Sequence, residues 1–158
     1  MRETSVRLAK LSVAGLLVGT ILMQILLPVL AHQTGTAFPE VQDLVVPYAA
    51  AAVVTVLSIQ VALAAVYGLI SAIPRGEFFG ARSATLIDVI RTALATAAAV
   101  PAVTAAHLLF FVGVGGPGVV LVLAASCVIG VALTVLIGLG KRLFLDARSE
   151  HEELGSVI

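Results

Sequence analysis

Apolar residues fill four long stretches, 11–31, 47–73, 85–112 and 119–140, and the polar positions collect between them. There is no two-residue alternation of a half-buried strand. Runs of this length signal helices surrounded by lipid. Ser12, Thr20 and Gln24 are the polar interruptions of the first stretch. At about 1.5 Å per residue this stretch covers a hydrocarbon core about 30 Å thick. The second stretch is longer than the core needs, so it is expected to tilt or to extend into the headgroup layer. The pattern therefore predicts an all-α membrane protein, a four-transmembrane-helix bundle forming one domain over residues 1–158.

The breaks carry their own signals. Residues 32–46 hold Glu40 and Asp43, and Gly35 and Pro39 are expected to end the first helix there. Pro47 suits the first position of the second helix, where a missing N–H costs nothing. Residues 74–84 read Pro-Arg-Gly-Glu-Phe-Phe-Gly-Ala-Arg-Ser-Ala, with Ser83 expected to cap the third helix. Pro101 falls within the third stretch and should kink it. Residues 113–118 predict a tight glycine-rich turn, and residues 141–158 a charged tail that carries the fourth helix one or two turns further. A cleaved signal peptide ending at Ala31 is the competing reading of the first stretch, but the stretch exceeds the usual apolar region of about 7–15 residues.

Charge orients the spans. All nine Lys and Arg fall in three clusters: Arg2, Arg7 and Lys10; Arg75, Arg82 and Arg91; Lys141, Arg142 and Arg148. Residues 32–46 and 113–118 contain none. Basic residues stay on the cytoplasmic side of a bilayer, so both termini and residues 74–84 are expected inside. Arg7 and Lys10, one turn apart, can reach phosphate headgroups.

Composition narrows the function classes. The chain is 60% hydrophobic and 11% charged, with a mean hydropathy of +1.15. That is less than half the charge of a soluble domain, about 25%. A formal net charge of zero gives no pull toward nucleic acid, and no direct nucleic-acid binding is expected. The single cysteine, Cys127, can neither form an internal disulfide nor run dithiol exchange.

Small residues recur at four-residue spacing: Gly15 and Gly19; Ala64, Gly68 and Ala72; Ala93, Ala97, Pro101 and Ala105; Ser126, Gly130, Thr134 and Gly138. Such stripes let helices approach closely in lipid. Seams within the chain are the leading use, and a homo-oligomer face is the alternative.

Candidate chemistry is sparse. Asp88 and Arg91 stand three residues apart on one helix face and are expected to pair near the membrane boundary. His107 is expected to be an interhelical hydrogen-bonding group rather than a proton relay. Gln24 and Gln60 lie near mid-span on adjacent stretches, where facing amides would bond across a seam. His32, His107 and His151 fall on separate segments, so no metal spacing appears. No catalytic residue and no cofactor is indicated. Arg75, Phe78, Phe79, Arg82, Asp88 and Arg91 mix aromatics with both charge signs, the composition that partner surfaces favour. Lipid anchoring by the same residues is the alternative.

Ile73, Gly76, Phe78 and Phe79, followed by Leu86-Ile87-Asp88-Val89-Ile90-Arg91, resemble a bacterial four-span membrane family of unknown function, domain of unknown function two-nine-seven-five. The resemblance implies a multi-pass protein of the bacterial cytoplasmic membrane, often encoded beside a small helix-turn-helix regulator. It brings no catalytic residue with it. The expected role is a non-enzymatic sensor, regulator or accessory subunit acting through the cytoplasmic loop. Its partners would be the lipid bilayer and either that regulator or another membrane subunit. The alternative is a small transporter or channel subunit working as an oligomer. Small multidrug exporters place an acidic residue in their first span, and this first span has none.

Overall fold

Polar backbone groups in lipid find no water, so a helix that enters the membrane continues across weak breakers sooner than it stops. The computed structural model of the protein, which describes residues 2–37, 42–113 and 115–156, follows that rule. Its elements are α1 (Arg2–Ala37), α2 (Gln42–Ala72), a 3₁₀ turn (Ile73–Arg75), α3 (Ala81–His107), a π turn (Leu108–Val112) and α4 (Pro117–Ser156). All four helices are long and apolar enough to cross a membrane. The chain is a multi-pass membrane protein.

Several boundaries differ from those expected. The first helix does not stop at Gly35 but runs on to Ala37. Glycine weakens a helix interior by about 1 kcal/mol without forbidding it. Thr34 and Thr36 turn their hydroxyls back to the carbonyls of Leu30 and Gln33, at 2.9 Å each. Pro39 and Glu40 lie outside the described residues. The second helix starts at Gln42, which puts Asp43 in its first turn, where a carboxylate suits the helix dipole. Pro47 is therefore inside α2 rather than at its start. Pro28 and Pro101 likewise stand inside α1 and α3. The fourth helix overshoots the most. Its 40 residues span about 60 Å, twice the hydrocarbon core.

Among the described residues each helix packs along its neighbour in sequence, α1 on α2, α2 on α3 and α3 on α4, with no comparable packing between α1 and α4. The arrangement is a row rather than a closed ring. The buried residues follow from it. Val56, Ala62 and Ala65 on α2 and Ala93 and Ala105 on α3 are covered, whereas α1 contributes Val13 and α4 contributes Phe144. Leucines, valines and isoleucines of the outer helices, such as Leu16, Leu26, Val128 and Val131, remain exposed for lipid.

Small residues set the seams. A Cβ placed on Gly130 would stand 2.8 Å from the Ala98 Cβ, and one on Gly68 would stand 3.1 Å from Leu86. Gly15, Gly19 and Gly138 have open space where a Cβ would go, so they serve no seam within the chain. Two cross-helix contacts lie near the middles of the apolar stretches. Gln60 faces Gln24, and Gly130 faces Ala98.

Candidate functional site

The basic clusters meet at one end of the row. Antiparallel neighbours bring the start of α1, the end of α2, the start of α3 and the extension of α4 together there. Lys10 lies over the Tyr67 ring, with Nζ 5.8 Å from the centroid. The turn from α2 into α3 is set by Gly76, whose φ of 70° is left-handed. Its N–H donates to the Ile73 carbonyl, and that of Glu77 donates to the Ala72 carbonyl, both at 3.2 Å. Orphan carbonyls at the end of α2 are thereby satisfied. Gly80 caps α3 with no side-chain hydrogen bond. Ser83, expected as that cap, instead stands inside the first turn, 1% exposed, and its hydroxyl reaches back 3.5 Å to the Glu77 carbonyl. A glycine in extended conformation leaves the turn tight enough to bury the serine beneath it.

The extension of α4 is clamped to this turn. Lys141 Nζ donates to both carboxylate oxygens of Asp88 at 2.7 Å. Asp88 was expected to pair with Arg91 on its own helix. The carboxylate is met instead by the lysine that α4 brings against the start of α3. Asp88 and Gly130 also give the depth. Lys141 is eleven residues from Gly130 and Asp88 ten from Ala98, about 15–16 Å along each helix, which is half of the hydrocarbon core. The pair therefore sits at the membrane boundary. Its side chains are 27% and 47% exposed, so it contributes about 0.2–1 kcal/mol.

Three phenylalanines complete the clamp. Phe78 meets Phe79 and Phe144 edge-on, with centroids 5.3 and 5.7 Å apart, and Phe79 stacks on Phe144 at 5.7 Å. Phe144 is buried. Such ring pairs contribute about 0.5–1.5 kcal/mol each beyond their burial.

The six residues expected to form a partner surface thus divide. Phe78, Phe79 and Asp88 hold the α4 extension. Arg75, Arg82 and Arg91 are exposed, and among the described residues none has a carboxylate at ion-pair distance. Lys141 and Phe144 were missed in the sequence because they lie more than fifty residues from their partners. Their spacing offered one weak signal, a basic and an aromatic residue three apart beyond the fourth apolar run.

The polar groups at membrane depth are engaged with one another. Gln60 Nε2 donates to Gln24 Oε1 at 2.8 Å. His107 Nδ1 is 2.8 Å from the Tyr48 hydroxyl, and its ring stacks on Phe111 at 5.5 Å. The histidine is the interhelical bonding group expected, with a tyrosine from α2 as partner. The π turn that follows His107 sends Phe110 and Phe111 outward, 72% and 82% exposed. Among the described residues, no group of three His, Cys, Asp or Glu side chains could hold a metal.

No curated protein and no solved structure matches the chain. A family match covers residues 29–158, from the last turns of α1 through α4, and includes the whole clamped turn. With four-fifths of its length so matched, the chain belongs to the family described as Protein of unknown function (DUF2975).

Proposed function

We propose that the protein is a non-enzymatic sensor, regulator or accessory subunit of the bacterial cytoplasmic membrane, acting through its basic end on the cytoplasmic side. The observation that carries this reading is the clamp. The Asp88–Lys141 ion pair and the Phe78, Phe79 and Phe144 cluster join the α2–α3 turn to the α4 extension. These contacts join α3 and α4 into one surface at the basic end, with Arg82 and Arg91 exposed upon it. Preorganised surfaces with free arginines suit protein partners, since less side-chain ordering is needed on binding. Clustering of every Lys and Arg at this end supports the cytoplasmic orientation. A cytoplasmic protein is the expected partner, the small helix-turn-helix regulator first among candidates.

Co-purification from membranes tests it. Wild-type bait should retain a cytoplasmic protein that Arg91→Glu bait loses while inserting normally. Phe144→Ala should lose it as well, because the surface comes apart. If Arg91→Glu and Phe144→Ala baits both retain the same proteins as wild type, the reading fails.

A further inference from the structure

A cavity of about 240 Å³ opens between α2 and α3 at the basic end, and its lining includes Tyr67, Ser71, Arg75, Glu77, Arg82 and Ser83. Three further cavities between helices are lined mostly by alanine, leucine and valine. We infer that this cavity binds a phosphate group, that of an anionic phospholipid headgroup.

Charge is the first argument. Two arginines against one glutamate leave the lining with one positive charge, and Lys10, over the Tyr67 ring, adds another at its edge. Neither arginine has a carboxylate at ion-pair distance among the described residues, so Glu77 does not neutralise them. Free guanidiniums present forked donors that match phosphate oxygens.

The backbone adds to this. Arg82 and Ser83 belong to the first turn of α3, which has no side-chain cap. The Ser83 N–H is used by the Gly80 carbonyl at 3.1 Å. The N–H groups ahead of it in that turn are left for a ligand, and the helix dipole favours an anion there.

Depth selects the lipid. Ser71 lies eleven residues beyond Gln60, about 16 Å from mid-membrane, where the hydrocarbon core ends and phosphates begin. Tyr67, 40% exposed, lies one turn deeper, in the position of an interfacial aromatic. Gly68 and Leu86 give the cavity an apolar inner wall. The volume is below the roughly 300–1,000 Å³ of sites that enclose a whole ligand. It fits a headgroup whose chains stay in the bilayer. Basic pockets between spans are known to take such headgroups. The inference shares Arg82 with the partner reading but is separable from it, because the partner reading is tested at Arg91 and Phe144, neither of which lines the cavity.

The test uses the full chain in detergent, with phosphatidylglycerol, phosphatidylcholine and inorganic phosphate as separate probes. Lipid retention by native mass spectrometry and thermal stability are the readouts. Phosphatidylglycerol should be retained and should stabilise the wild type more than phosphatidylcholine does. Arg75→Gln or Arg82→Gln should weaken that retention about fivefold, at about 1 kcal/mol per basic residue near the surface. The double variant should weaken it more than tenfold, and Arg91→Gln should leave it unchanged. Stabilisation by millimolar phosphate without selectivity for phosphatidylglycerol would keep the phosphate site and overturn the lipid source. Equal retention of both lipids with no phosphate effect, or an equal loss in Arg91→Gln, would overturn the site itself.

Discussion

Gly76 holds the one left-handed residue in the turn that builds the basic end, with φ of 70° and nothing within 4 Å of a built Cβ. Space is therefore not its constraint; backbone chirality is. Gly76→Ala should destabilise by about 1–2 kcal/mol, the cost of a left-handed Cβ, seen as a lower unfolding temperature in detergent. Gly138→Ala is the control, since that glycine also has open space and no positive φ. It should show no loss. The amide pair gives a second test at this scale. Gln60→Leu leaves Gln24 without its 2.8 Å partner, and the cost should be about 0.6 kcal/mol, at most about 1.7. Gln24→Leu in the same chain should recover most of it, and a double-mutant cycle in thermal unfolding reads the coupling. This pair was legible in the sequence because two amides stood near mid-span on adjacent stretches, where few other partners exist. The Asp88 partner was not legible. Several cations cluster near the boundary, and only the fold decides which of them arrives.

Among the helices, α4 is decisive, since it forms a seam along one half and a clamp along the other. At the seam, Gly130 meets Ala98 so closely that any added Cβ must move backbone or neighbour. Gly130→Leu should cost about 1–3 kcal/mol by overpacking, measured as thermal stability in detergent. Gly15→Leu, on the open face of α1, should not. At the clamp, Phe144→Ala removes the ring shared by Phe78 and Phe79. The loss should be about 3 kcal/mol, the low end for a buried phenylalanine, because the cluster borders water. Limited proteolysis should then cut the α4 extension while the spans stay intact. The four apolar runs made the existence of these elements plain. Their ends were harder to read, because Gly35 and Pro47 are helix breakers on average but each stands close to a helix end here, where a missing or weakened hydrogen bond disturbs few turns. The extension of α4 was underestimated for a different reason. Its Phe144 docks on a turn distant in sequence, a contact that spacing along the chain does not show.

For the whole molecule, an open row of four antiparallel helices makes a firm topological statement. An even number of crossings puts both termini on one side, and the helix pairings put the α2–α3 turn there too. Which side this is we propose from charge. Lys10, Arg75, Arg82, Arg91, Lys141 and Arg142 all lie at that end, whereas the His107 end has Tyr48, Phe110 and Phe111 and no Lys or Arg in its connections. Burying the basic end in transit would require moving every cation of the chain across the bilayer, each at about 2.5–3.5 kcal/mol if it passed the membrane centre. Reporter fusions should therefore register cytoplasmic at Gly76 and Ile158 and external at Gly35 and Gly116. The Gly35 fusion decides most. An external signal there requires α1 to cross as a span, and a cytoplasmic one would leave Lys10 on a helix that never crosses the membrane, against its place over the Tyr67 ring of α2 and the packing of α1 on α2.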